Sequence, residues 1–95
     1  MKFEWDEHKN QANINKHKIS FEQASTVFLD GSAIIFQDVE HSETEERFII
    51  IGKSALEQVL FVCYCEKSQS DSDEEVIRII SARKATNKER RLFYE

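Results

Sequence analysis

The sequence predicts an α+β fold, a mostly antiparallel four-stranded sheet with two N-terminal helices and one C-terminal helix. Three observations predict it. Apolar residues recur at helical spacing over residues 21–28. From Ala33 onward the period changes to the alternation and β-branched runs of strands. Thr86 and Glu89, at capping-box spacing, then open a helix after the last of those runs. The connections 38–45, 52–55 and 66–75 are short enough for hairpins, so the four strands form a meander. No internal repeat or linker interrupts residues 1–95, which read as a single domain with one sheet face covered.

Phe3 and Trp5 alternate with Glu4, a short extended piece with both aromatics on one face. Asp6 caps a helix running to about Lys16, whose apolar face, Ala12 and Ile14, is thin. Ser20 and Gln23 repeat the capping-box spacing, and Phe21, Ala24, Val27 and Phe28 follow at helical intervals. This second helix stops at Asp30 and Gly31, with Gly31 expected in the left-handed conformation. Strands follow at 33–37, 48–51, 56–65 and 76–80. The connection 66–75, E-K-S-Q-S-D-S-D-E-E, is acidic and polar and is expected to be a mobile loop.

At 95 residues there is room for one core, with roughly 60–65% of the unfolded chain's surface buried on folding. A composition of 40% apolar and 33% charged residues is globular. The N-terminal M-K-F-E-W-D-E-H lacks the apolar stretch of a signal peptide. The longest apolar runs fall well short of the ~20 residues a membrane span needs. The expectation is a cytoplasmic protein with no membrane contact. Cys63 and Cys65, two apart on a strand, cannot bridge comfortably and are expected reduced and buried. No Cys-x-x-Cys or His-x₃-His spacing joins them to His8, His17 or His41, so no metal or other cofactor is expected.

Charge is distributed unevenly. Residues 76–95 hold six Lys/Arg against two Glu, or +4, while residues 1–75 hold seven against sixteen, or −9, summing to the net −5. Arg78, between Ile77 and Ile79, must reach solvent or a partner, since a buried unpaired cation is very costly. By alternation it shares a face with Val76 and Ile80 while Ser81 takes the other, and Arg83 falls at the strand-to-helix turn. Arg47 begins a strand directly after Glu45 and Glu46, and Lys16 and His17 end the first helix, where cations suit its dipole.

These residue types suit phosphodiester chemistry on RNA. A guanidinium grips phosphate bidentately and stabilises the charge that grows on it. His17 or Glu46 would take the proton of the ribose 2′-OH or protonate the leaving oxygen, and need for a 2′-OH selects RNA over DNA. No phosphate-cradling glycine loop or acyl-transfer nucleophile motif is present. A plainer reading stands beside this one. A basic terminal helix is commonly a solvated face, Glu46 beside Arg47 a surface ion pair, and His17 followed by Lys18 simply a helix end.

The motifs are more specific. F-E-W-D at 3–6, N-x-x-K-H-x-I-S-F-E-x-A at 13–24, V-F at 27–28, E-R-F-I-I-I-G at 46–52 and R-I-I-S-A-R-K-A-T-x-x-E-R at 78–90 resemble, in the same order, the BrnT family of bacterial toxins. The resemblance implies a RelE-like fold and a metal-independent endoribonuclease that arrests growth without a cofactor. It also implies a cognate BrnA-like antitoxin that silences the toxin in a heterotetramer, with operator DNA met only through the antitoxin. The family's functional positions carry over by motif to Lys16, His17, Glu46, Arg47, Arg78, Ser81 and Arg83. The catalytic candidates are Arg78, Arg83, Arg47, His17 and Glu46, and the RNA-binding candidates are Lys16 and Ser81, joined by the basic residues Lys67, Lys84 and Lys88. Lys18 stands where members usually carry glycine, and Lys67 where they often carry arginine; a lysine there keeps the charge but loses the bidentate fork. The alternative function is a non-catalytic protein-binding subunit of a transcriptional repressor complex.

Overall fold

The computed structural model describes residues 1–43, 45–68 and 74–95. In chain order the elements are β1 (Lys2–Glu4), α1 (Glu7–His17), α2 (Phe21–Thr26), β2 (Ile34–Gln37), β3 (Phe48–Lys53), β4 (Val59–Ser68), β5 (Glu75–Lys84) and α3 (Asn87–Tyr94). The strands form one mixed sheet in the order β1-β5-β4-β3-β2. Strands β2 to β5 are the expected antiparallel meander. The expectation of four strands is corrected to five. β1 joins β5 in parallel, with Lys2 opposite Val76 and Glu4 opposite Arg78. A three-residue strand whose partner lies at the other end of the chain leaves no local signal of its pairing.

Caps set the helix starts as the sequence indicates. Asp6 accepts from the amides of His8 and Lys9, and Thr86 and Glu89 form a complete capping box on α3. Ser20 accepts from the Gln23 amide, but the Gln23 side chain turns away to Ser54 and Gln58. The second helix is shorter than its pattern: α2 ends at Thr26 and a 3₁₀ turn, Val27–Leu29, follows. Thr26 explains part of this, because its hydroxyl accepts the Ala55 amide and ties the helix end to the β3–β4 turn. Gly31 does not adopt a positive φ. The left-handed cap belongs instead to Lys18, at φ 62° and ψ 26°, whose amide donates to the Ile14 carbonyl and closes α1. β4 and β5 extend further into the acidic connection than expected; residues 69–73 lie outside the described residues.

One sheet face carries α1 and α2. There Ile19, Phe21, Ala24 and Val27 pack on Ile50, Leu60, Val62, Tyr64, Ile77, Ile79 and Ala82, with Phe3, Trp5 and Phe28 completing the core. On the outer face, Ile49, Ile51 and Val59 are covered by Ile34, Phe61, Ala85 and Phe93 of α3. As α3 is only eight residues long, it covers part of that face and leaves the rest open.

A β-bulge decides which side chains occupy the open part. Cys63 pairs with Ser81 and Tyr64 with Ile79, so Ile80 is the extra residue on β5. Strict alternation would put Arg78 and Arg83, five apart, on opposite faces. The bulge resets the phase: Arg78 pairs with Cys65, Ser81 with Cys63 and Arg83 with Phe61, all on the outer side. The expectation that Ser81 faces away from Arg78 is therefore corrected. Arg83 also lies inside β5, not at a strand-to-helix turn.

Beyond its three pairs with β1, β5 is an edge facing α1. There the buried Asn13 side chain acts as a substitute strand. Its Oδ1 accepts the Ala82 amide at 3.2 Å, and its Nδ2 donates to the carbonyls of Ala82 and Ile19, both at 2.8 Å. Asn10 plays a similar part for α2, with Oδ1 accepting the Phe21 amide at 2.9 Å.

Candidate active site

The open part of the outer face is a cleft of about 390 Å³ lined by Asp38, Glu40, His41, Arg47, Ile49, Phe61, Cys63, Ile80, Ser81 and Arg83. Its floor is β-branched and aromatic because β3 and β4 are buried on both sides there. Its polar groups come from three places: a short 3₁₀ turn at Val39–His41, the start of β3, and β5 after the bulge.

His41 and Asp38 form a pair, with Nδ1 of the imidazole 3.0 Å from Oδ2 and 3.1 Å from Oδ1. The two ends differ in exposure: the Asp38 side chain is 13% exposed and His41 62%. A carboxylate held under a ring nitrogen fixes ring orientation and tautomer, leaving Nε2 free at the solvent side. Asp38 is itself placed by the backbone, as its amide donates to the Arg47 carbonyl at 2.8 Å and its carbonyl accepts from Ser42 Oγ.

Arg83 is held on three sides. Nη1 and Nη2 donate to Glu89 Oε1 and Oε2 at 2.7 and 3.0 Å, Nη1 also reaches the Lys84 carbonyl at 3.3 Å, and the guanidinium carbon lies 4.0 Å from the centre of the Phe61 ring. The Arg83 guanidinium holds the Glu89 carboxyl below the usual carboxylate range. Arg47 is less satisfied. Its Nε is buried without a hydrogen-bond partner among the described residues, with Glu45 Oε1 3.7 Å away. A buried N–H lacking an acceptor costs about 1–3 kcal/mol.

The two cysteines lie under this surface as neutral thiols. Burial first, and Asp38 second, push the Cys63 thiol up to about 11; burial and then Glu45 raise Cys65. Neither is poised as a nucleophile. Among the described residues no three His, Cys, Asp or Glu side chains converge as a metal-ligand set. A larger recess of about 610 Å³ along α3, lined by Asn87, Arg90, Arg91, Tyr94 and Glu95, offers cations on a single helix and no proton-transfer pair.

Of the residues singled out from the sequence, Arg47, Arg83 and Ser81 meet in the cleft. Arg78 stays on the same face but outside the cleft, paired with Glu4 at 2.7 Å near the β1 edge. Lys16 and His17 end α1, in the layer packed on the opposite face. Glu46 is exposed before β3 and does not line the cleft; its neighbour Glu45 is the one that approaches Arg47. Lys67 is exposed on β4, Lys84 lines a separate recess with Lys53 and Arg90, and Lys88 is exposed on α3. Asp38 and His41 line the cleft but are not among the sequence candidates. Their signal was an Asp-x-x-His spacing in a segment with no periodicity, which carries little specificity alone.

Comparison with known proteins agrees with the fold and the motifs. A family model described as the ribonuclease toxin, BrnT, of type II toxin–antitoxin systems matches residues 5–89. The crystal structure of the Brucella abortus ribonuclease toxin BrnT is similar at 28% identity and a TM-score of 0.64, covering 92% of this chain and 99% of that one. Comparison with curated proteins returns no significant match. No helix among the described residues is long and apolar enough to cross a membrane. With a family model spanning residues 5–89 and an overall fold similar to a member's, this chain belongs to the BrnT family of ribonuclease toxins of type II toxin–antitoxin systems.

Proposed function

We propose that the protein is a toxin that cleaves RNA endonucleolytically at the outer-face cleft, without a metal ion, and that a cognate antitoxin silences it. The observation that carries this reading is the meeting of the Asp38–His41 pair with Arg47 and Arg83 in one cleft. In this scheme His41 Nε2 takes the proton from the ribose 2′-OH, whose oxygen attacks the adjacent phosphorus while the bond to the 5′-oxygen breaks. Asp38 keeps the imidazole oriented and stabilises the imidazolium. Arg83 and Arg47 take up the charge that grows on the phosphate oxygens. The leaving oxygen takes its proton from water, so the products end in a 2′,3′-cyclic phosphate and a 5′-hydroxyl. Arg78, paired with Glu4 outside the cleft, becomes a contributor to RNA positioning or to the β1–β5 edge.

Purified protein is tested on single-stranded RNA with and without chelator. Cleavage that survives chelation, gives cyclic phosphate ends, and drops about 10²–10⁴-fold in His41→Ala supports the scheme. Arg83→Ala should cost about 10²–10³-fold. Full activity in His41→Ala would sink the assignment of the base. Loss of cleavage on chelation would overturn metal independence. Expression without the antitoxin separates the toxin from the alternative, a non-catalytic repressor subunit: a toxin arrests growth and a subunit is tolerated.

A further inference from the structure

Arg83 has five N–H groups, and the structure accounts for three of them. Nη1 gives one to Glu89 Oε1 and one to the Lys84 carbonyl, and Nη2 gives one to Glu89 Oε2. The Phe61 ring lies against the guanidinium face. What remains without a partner among the described residues is Nε–H and the second Nη2–H, the side-on pair of the guanidinium, which is the other geometry in which arginine grips two oxygens at once. Arg83 lines the cleft, so that pair is the part of the side chain a ligand there can use.

We propose that Glu89 is a positioning residue that acts through Arg83. Its carboxylate occupies the end-on fork and thereby presents the side-on fork to an RNA phosphate in the cleft. The inference rests on the ribonuclease reading of that cleft and adds to it. Glu89 is built for the task. It lies on the first turn of α3, its side chain is 18% exposed against 35% for Arg83, and Oε1 also accepts the Thr86 amide at 2.8 Å, so the carboxylate cannot swing freely. An arginine held this way gives up less rotamer freedom when phosphate arrives than a free one would. The opposing effect is partial neutralisation of the cation, which weakens ground-state phosphate binding. The expected signature is therefore in kcat more than in KM.

Glu89→Gln and Thr86→Ala discriminate positioning from support of the helix. Thr86→Ala removes the N-cap of α3 but leaves the Glu89 to Arg83 pair in place. Glu89→Gln should lower kcat on single-stranded RNA by about tenfold to a hundredfold, with KM changed less, while Thr86→Ala stays within about twofold of wild type. A rise in cleavage in Glu89→Gln would mean that the carboxylate competes with RNA, and overturns the proposal. Equal losses in both variants would mean that Glu89 only holds α3, and overturn it too. The Arg83 Nη–H resonances in nitrogen-resolved NMR give a readout independent of cleavage, because the bonds to Glu89 are made by Nη1 and Nη2. They should be resolved and slowly exchanging in wild type and Thr86→Ala, and broadened or lost in Glu89→Gln. A wild-type protein that cleaves no RNA would sink the ribonuclease reading, whereas unchanged Nη–H signals in Glu89→Gln would sink this one.

Discussion

Replacing Asn13 by alanine should remove a large share of the fold's stability, although the residue touches nothing in the cleft. The buried side-chain amide makes three hydrogen bonds, two of them to the backbone of Ala82 on β5 and one to the carbonyl of Ile19 in the α1–α2 connection. Asn13 is 7% exposed, so truncation leaves one amide and two carbonyls with little access to water. At about 1–3 kcal/mol for each orphaned buried group, offset by partial rehydration, the loss comes to about 2–4 kcal/mol. A domain of this size has about 5–14 kcal/mol in total at roughly 0.05–0.15 kcal/mol per residue, so the urea midpoint should fall markedly with the slope unchanged. Asn13→Asp sharpens the test. It keeps the acceptor for the Ala82 amide but sets a carboxylate against two carbonyl oxygens, so at neutral pH it should be worse than alanine and recover toward it in acid. If both variants unfold within about 0.5 kcal/mol of wild type, the inference that a side-chain amide substitutes for a missing strand is wrong.

Lys18→Gly should stabilise the protein by about 0.5–1 kcal/mol, measured by the same titration, because only glycine takes the φ 62° of the α1 cap without a Cβ penalty. Gly52→Ala should do the reverse by about 1–3 kcal/mol, since its Cβ would stand 2.8 Å from Ala33 Cβ and 2.9 Å from Val27 Cγ1. Stability should fall in acid. Glu89, Asp6 and Glu7 all have folded pKa values below their unfolded ones, through Arg83, the α1 backbone amides and the Asn10 side chain respectively. Their contribution is complete above the unfolded values of 4.5 and 3.8 and is lost as pH falls through the lower folded ones. Glu89→Gln should make that acid slope shallower. Finally, Cys63, with its thiol near 11, should react slowly with a thiol reagent at pH 8 and rapidly once the chain is unfolded.

Much of the scaffold was legible because its signals are local. Asp6, Ser20 and Thr86 each cap a helix whose start they mark, and the runs at Phe48 and Val59 became strands in the expected meander. What escaped depends on distant partners or on one residue of register. β1 needed a partner over seventy positions away. The bulge at Ile80 changed the facing of everything after it, which no reading by alternation from Arg78 could foresee. Arg47, Arg83 and Ser81 were accessible to charge and motif reasoning because the chemistry they suit demands those residue types. Asp38 and His41 were not, as they sit in a turn whose position against β3 is set by the Asp38 amide and the Arg47 carbonyl. His17 drew attention as the histidine beside a lysine in a motif, yet it belongs to the helical layer on the far side of the sheet.

The strand order has a practical consequence for keeping the protein in solution. The sheet ends on β2, a four-residue strand whose outer edge pairs with no other strand among the described residues and whose Ile35 and Phe36 are exposed, with Val39 just beyond. Such a margin is an invitation to pair with another copy. Asp38, Glu40, Glu43, Glu45 and Glu46 follow it closely in sequence, so two approaching copies bring like charges together first. That protection is electrostatic and fades as the Debye length shrinks, from about 10 Å at 0.1 M salt to about 3 Å at 1 M. Concentrated stocks should therefore stay monodisperse in dilute buffer and begin to associate in molar salt, the reverse of the usual advice for a nucleic-acid enzyme.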